Sequence, residues 1–202
     1  MEEILIPLGK TGIDKFGFSG AIQQVQSEKK FLREYINHNP VNLYLEIGTL
    51  WGGTAIIAAL AGAKQVITID SMNGLRWHEP DPWYPDEMIS KERILANFYA
   101  FGVEDIIHLV HAKSYPFPLD EIYPDVTLID GAHDETVFKD WESVKDITRQ
   151  AVLIHDYQSD HLPAVTRLVD EVAAVDPEWE LYGTVGCTAV LFRSSLEIKW
   201  EA

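Results

Sequence analysis

The chain has 202 residues, 47% apolar and 24% charged, which describes one globular domain large enough to bury its own core without disulfide or metal staples. Its 32 acidic residues against 16 basic ones give a formal charge of −16, a field that repels nucleic-acid backbones and anionic membrane surfaces. No apolar run approaches the about 18 residues that span a bilayer, "MEEILIPLGK" lacks a secretory signal's basic and apolar regions, and the lone Cys187 suits a reducing compartment; the expectation is a cytoplasmic protein with neither nucleic-acid nor membrane partner.

The spacing in "FSGAIQQVQSEKKFLREYINHN" predicts a helix from about Gly20 to His38, with Ile22, Val25, Phe31, Leu32, Tyr35 and Ile36 on its apolar side. Gln23, Gln24, Gln26, Lys29 and Lys30 form its polar side, as consistent with plain solvent exposure as with covering a ligand or meeting a second copy of the chain. Pro40 punctuates, so residues 1–40 read as an N-terminal helical extension and 41–202 as the main domain. "VNLYLEIG" predicts a first buried strand, "GTAIIAALAGA" a helix, "QVITID" a second strand and "SKERILANFYAFG" a second helix closed by Gly102. "IIHLVHA", "DVTLID" and "AVLIHD" continue as strands, interleaved with the helical patterns "ETVFKDWESVKDIT" and "HLPAVTRLVDEVAAV".

Strands alternating with helices imply βαβ units, and strands apolar at nearly every position are buried on both faces of a parallel sheet. The closing "WELYGTVGCTAVLFR" departs from this, reading as two strands joined by a short Gly-containing link, as in an antiparallel hairpin. The fold class is therefore α/β, a doubly wound, mainly parallel seven-stranded sheet with an antiparallel strand near its end. Cys187, inside that hairpin, reads as a small buried hydrophobe and not as a nucleophile.

Ligands of open α/β sheets lie beyond the carboxyl ends of the strands, so the turn "YLEIGTLWGGTAI" is the place to look. A phosphate-binding loop is excluded, because Thr54 stands where the Gly-x4-Gly-Lys pattern needs lysine. A dinucleotide fingerprint is disfavoured, because Leu50 occupies the position where a glycine lets backbone approach pyrophosphate. Glu46 adds a carboxylate near the loop, which suits a cofactor with no phosphate and a cationic end.

"LEIGTLWGGTA" resembles the Glu/Asp-x-Gly-x-x-x-Gly motif of class I S-adenosylmethionine-dependent methyltransferases, whose domain is a Rossmann-like sheet. The resemblance implies that Glu46, Gly48, Thr49, Gly53 and Thr54 border the methionine portion of S-adenosylmethionine. It further implies that Asp70, ending the second strand, binds the ribose hydroxyls with Ser71 beside it, and that Ser114 contacts adenine. An acid is common near Lys113 in that family and is missing here. The alternative is a Rossmann-like sheet in which Gly48 and Gly53 serve only tight packing.

"LIDGAHDETVFKDW" and "VLIHDY" carry the second constellation, similar to the metal-dependent O-methyltransferases of the catechol, macrolide-sugar and cephalosporin-biosynthesis types. The likeness implies Asp130 and Asp156 as ligands of Mg²⁺ or Mn²⁺, with Asp130 also bordering the cofactor and taking part in catalysis. His155 stands where the family more often has a carboxylate, and an imidazole ligand tilts the choice toward Mn²⁺ or another transition ion. His133 occupies the position of a catalytic lysine and is either a general base or orienting group, or a cap for the helix starting near Asp134. His108 and His111 alternate with apolar residues and read as strand-surface groups.

The long connection "SMNGLRWHEPDPWYPDEMIS", with Trp77, His78, Trp83 and Tyr84, reads as a lid over the acceptor, and Trp51 either faces the same pocket or packs inward. The function expected is methyl transfer to a small-molecule hydroxyl. The alternatives are a non-catalytic or metal-independent S-adenosylmethionine-binding protein and, less favoured, a nicotinamide-dependent oxidoreductase. A homodimer is expected on base rates alone.

Overall fold

The computed structural model describes residues 24–72 and 89–195. Seven strands form one sheet: β1 Leu43–Ile47, β2 Gln65–Asp70, β3 Ile107–His111, β4 Val126–Ile129, β5 Ala151–Ile154, β6 Trp179–Val185 and β7 Thr188–Arg193. Their order across the sheet is β3-β2-β1-β4-β5-β7-β6. All neighbouring pairs from β3 to β5 are parallel, while β7 inserts antiparallel between β5 and β6. The doubly wound, mainly parallel sheet and its antiparallel hairpin strand thus match the reading of the chain. The chain moves outward from β1 through β2 to β3, then returns to the other side of β1 with β4. That reversal opens a crevice at the carboxyl ends of β1 and β4.

Helices cover both faces. α1 Gln26–His38, α2 Gly53–Leu60 and α3 Lys91–Ala100 lie on one, and α4 Val137–Val144 and α5 Pro163–Arg167 on the other. α5 continues through a π turn, Leu168–Val172, and a 3₁₀ turn, Ala173–Val175, where the sequence pattern predicts one unbroken helix. Within β1 the two-residue period sends Tyr44 into the first core and Leu45 and Ile47 into the second, so every position after Leu43 is buried. Tyr35 stacks on Phe192 in the first core, and Trp141 meets Trp179 edge-on in the second, with ring centroids 5.7 Å apart in each pair. Fully burying one such side chain contributes about 1.5–3 kcal/mol.

The predicted helix from about Gly20 begins later. Val25 is extended, and α1 starts at Gln26, where the Glu28 side chain accepts the Val25 N–H at 2.7 Å and caps the first turn. Two residues of its polar side are buried, Gln24 at 7% exposed and Lys29 at 8%, so at these two positions plain solvent exposure does not hold. The helical extension is described only from residue 24 onward. No described helix is long and apolar enough to cross a membrane.

Candidate active site

The turn after β1 is built by close approach. Gly48 has φ +95°, and a Cβ there would lie 2.0 Å from the Asp130 carbonyl oxygen, so only glycine lets the ends of β1 and β4 come together. Its N–H donates to Ile69 O at 2.9 Å, while the Asp130 N–H donates to Ile47 O at 2.8 Å. Asp70, at the end of β2, holds the turn from the other side. Its Oδ2 accepts from the amides of Thr49 at 3.0 Å and Leu50 at 3.4 Å, and its Oδ1 from Met72 at 2.8 Å.

Glu46 is a correction to the expected cofactor set. It is 1% exposed, lies behind the turn, and accepts from Thr68 Oγ1 at 2.6 Å; Thr68 in turn pairs with Thr49 Oγ1 at 2.6 Å. Burial, with Asp130 and Asp70 nearby, pushes its pKa well up. Glu46 therefore braces β1 against β2 and presents no carboxylate to the cleft.

A cleft of about 680 Å³ opens over this edge of the sheet, a size that suits a nucleoside-containing ligand. Gly48, Thr49, Gly53 and Thr54 line it from β1 and α2, Asp70 and Ser71 from β2, Ser114 from the end of β3, and Asp130 and His133 from the end of β4. Asp156 closes it beyond β5, with Asp140 and Lys139 of α4 along the wall. Ser114, the expected adenine contact, donates its hydroxyl to Asp140 Oδ1. Burial raises Asp140 to about 6, against the opposing pull of that hydrogen bond.

Trp51 is 1% exposed, its carbonyl accepting from Asn97 Nδ2 at 2.9 Å, so it borders the cleft from within the core. His108 and His111 are exposed on β3, as expected of strand-surface residues. Of the expected lid, only its ends at Ser71–Met72 and Ile89–Ser90 belong to the described residues, and Trp77, His78, Trp83 and Tyr84 lie outside them.

At the mouth of the cleft Asp130, His133, His155 and Asp156 converge, their ligand atoms all within 4.8 Å of one another. His155 Nδ1 lies 3.1 Å from Asp130 Oδ1 and 3.4 Å from Asp156 Oδ1. His133 bridges the same two acids, Nε2 at 3.4 Å from Asp130 Oδ1 and Nδ1 at 3.3 Å from Asp156 Oδ2. His133 Nε2 and His155 Nδ1 are nonetheless buried without a hydrogen-bond partner among the described residues. Adjacent ligand atoms sharing one cation at about 2.1 Å stand about 3.0–3.4 Å apart. The spacing, the two orphaned imidazole nitrogens and the two carboxylates therefore fit a divalent cation. Asp156 adopts φ +62°, a left-handed conformation that costs energy outside glycine and is stored where a site needs its side chain re-aimed.

Burial alone would lower the pKa of His155, but electrostatic attraction to Asp130 outweighs it and holds the imidazole far above its usual value. Burial likewise opposes ionisation of Asp130, and His155 and His133 overcome it, bringing that carboxyl down to about 2.

Three contributors were not legible as site residues. Gln24 donates Nε2 to Asp130 Oδ2 and accepts from Thr54 Oγ1 at 3.0 Å, joining the start of α1 to the cleft. Glu28 lies 3.5 Å from His155 Nε2. Cys187, expected as a plain hydrophobe, is half-buried and donates Sγ–H to Glu28 Oε1 at 3.2 Å, with its sulfur 3.4 Å from His155 Nε2. The only sequence signal among them is a glutamate three residues into a helix, which reads as a cap.

No protein-family model matches the chain, and no curated protein matches it by sequence. Solved structures do match its fold. An O-methyltransferase, TomG from Streptomyces achromogenes, in complex with S-adenosylmethionine, aligns over 87% of this chain and 82% of its own at 16% identity and a TM-score of 0.63. An O-methyltransferase from Bacillus cereus with S-adenosylhomocysteine aligns over 86% and 83% at 14% identity and 0.60. The S-adenosylhomocysteine-bound methyltransferase PaMTH1 of Podospora anserina aligns over 85% and 79% at 15% identity and 0.61. The chain has the fold of the class I methyltransferases, as the motifs implied.

Proposed function

We propose that this protein is an S-adenosylmethionine-dependent O-methyltransferase acting on a small-molecule hydroxyl with the help of a divalent cation. The observation that carries the reading is the group of Asp130, His133, His155 and Asp156, with two buried and unpartnered imidazole nitrogens, standing beside a glycine turn braced by Asp70.

The nucleoside end of the cofactor belongs along Asp70, Ser71 and Ser114, and its methionine end along Gly48 to Thr54. Asp70, Asp130, Asp140 and Asp156 outnumber Lys113 and Lys139 along this cleft, a balance that favours a cationic ligand over a phosphorylated one. S-adenosylmethionine brings an electrophilic methyl group on a sulfonium. Asp130, Asp156 and His155 would hold Mg²⁺, Mn²⁺ or a similar ion, which lowers the pKa of an acceptor hydroxyl and orients its oxygen. His133 faces the same space and takes the hydroxyl proton as the oxygen gains the methyl group, leaving a methyl ether and S-adenosylhomocysteine. Neutralising sulfonium charge is favoured where water is excluded, so the burial of His155 and the Gln24 side chain set against Asp130 serve the chemistry.

Calorimetric titration with S-adenosylmethionine, in EDTA and then with Mn²⁺ or Mg²⁺, tests the cofactor half. Micromolar binding in both buffers is expected. An acceptor screen reading release of S-adenosylhomocysteine, with and without metal, tests the rest. No cofactor binding in either buffer would reduce the glycine turn to a packing device. Binding without methyl transfer to any hydroxylated acceptor would favour a non-catalytic cofactor-binding protein.

A further inference from the structure

His155 presents its two ring nitrogens to different surroundings. Nδ1 faces Asp130 and Asp156 in the cleft and has no hydrogen-bond partner among the described residues, whereas Nε2 faces away from it toward α1 and the β6–β7 hairpin. On that side stand Glu28 Oε2 at 3.5 Å and Cys187 Sγ at 3.4 Å. Glu28 Oε1 at 3.2 Å is a closer acceptor for the thiol proton than Asp156 Oδ1 at 3.8 Å; with its proton given to either acid, sulfur offers His155 only lone pairs, and an ionised carboxylate likewise only accepts. Both neighbours call for a hydrogen on Nε2, so Nδ1 is the nitrogen that would give up its proton to a cation in the cleft.

Glu28 is itself rigidly held. It is 6% exposed, its Oε2 accepts the Val25 N–H at 2.7 Å, and its Oε1 accepts the Cys187 N–H at 2.8 Å and the Thr188 hydroxyl at 3.0 Å. These donors tie the first turn of α1 to the hairpin at one point, and that point abuts the imidazole. A carboxylate behind a metal-bound histidine fixes the tautomer, orients the ring and increases ligand basicity, and losing it typically weakens metal binding about 10–100-fold.

We propose that Glu28 is the positioning residue of the cation centre: through Nε2 of His155 it presents Nδ1 as a ligand alongside Asp130 and Asp156, and so favours ions that accept nitrogen donors, such as Mn²⁺ or Co²⁺, over Mg²⁺. The inference rests on the metal-assisted reading above and assigns to α1, far from the cleft in sequence, control over which ion the site takes.

The test is a double-mutant cycle read by metal binding on the full chain, with no need of turnover. Mn²⁺, Co²⁺ and Mg²⁺ are titrated by calorimetry into the wild type, Glu28→Gln, His155→Asn and the double variant, and the visible absorption of the Co²⁺ complex is recorded. Glutamine keeps one oxygen acceptor in the same volume, and thermal unfolding of each variant reports on folding. The expected result is that Glu28→Gln weakens Mn²⁺ and Co²⁺ binding about 10–100-fold and shifts the Co²⁺ bands, while in the His155→Asn background the same change has no further effect. Equal losses in both backgrounds would mean that Glu28 acts on the fold alone and would overturn the inference, as would Mn²⁺ affinity unchanged by Glu28→Gln. A wild type that binds none of the three ions would instead overturn the metal-assisted reading, and this inference with it.

Discussion

The carboxyl group of Asp140 on α4 accepts the hydroxyl of Ser114, which belongs to the loop after β3, and so joins two walls of the cleft at a point only 2% exposed. Burial raises its pKa from 3.8 to about 6, so the folded state favours the neutral acid. The stabilising effect of that protonation is complete below about pH 4 and is lost as pH rises through about 6. By pH 8 the ionised group costs roughly 3 kcal/mol. Asp140→Asn should therefore unfold at higher urea than the wild type at pH 8 and at nearly equal urea at pH 4. An identical offset at both pH values would mean that Asp140 is not strained by its own ionisation.

At Gly48 the constraint is steric and local. Gly48→Ala puts a methyl group onto the backbone of Asp130, where nothing flexible can yield, and a loss of about 3 kcal/mol or more is expected. Gly62 offers the comparison: its φ is +112°, yet a Cβ there meets nothing within 4 Å. Gly62→Ala should cost only the backbone penalty of about 1–2 kcal/mol. Equal melting temperatures for the two variants would contradict the close approach of β1 and β4.

Asp70 carries both the turn amides and the expected ribose contact. Asp70→Ala should lower affinity for S-adenosylhomocysteine about 10–100-fold, the range of one or two charge-assisted hydrogen bonds. Calorimetry reads this directly. Unaltered affinity, with a lowered melting temperature, would restrict the carboxylate to bracing Thr49 and Met72.

His133 stands between Asp130 and Asp156, where a base would meet the acceptor hydroxyl. His133→Gln should cut turnover about 10²–10⁴-fold while leaving cofactor affinity nearly unchanged. Steady-state rates with a responsive acceptor, set beside calorimetric affinities for S-adenosylhomocysteine, separate the two. Full turnover would leave His133 only the ordering of the turn before α4.

Much of this architecture was legible in the chain because it rests on local signals. β1, β2 and β4 are apolar on both faces, a pattern only a covered parallel sheet satisfies, and Gly48 and Asp70 sit at strand ends where a cofactor fold needs them. Asp130, His155 and Asp156 were readable as neighbours because β4 and β5 pair directly, so residues that end adjacent strands meet in space. Hydropathy also led astray. Gln24 and Lys29 have polar side chains on a helical wheel's outer face, yet both are buried, Gln24 through its bonds to Asp130 and Thr54. Glu46 had the right neighbours in sequence but the wrong side of the strand, since the two-residue period aims it at Thr68 behind the turn.

By itself, then, the sequence determined the class of fold, the edge of the sheet where chemistry gathers, and the acids and imidazoles ending the central strands, because strand periodicity and turn chemistry act over a few residues. Only the tertiary structure decided that β7 slips between β5 and β6, that α1 brings Glu28 to the back of His155, and that Cys187 completes that contact. Glu28 and Cys187 are 159 positions apart in the chain, and no local rule connects them. Their meeting follows from how the helices and hairpin pack over the finished sheet, where a buried carboxylate must find donors and takes those that the hairpin supplies.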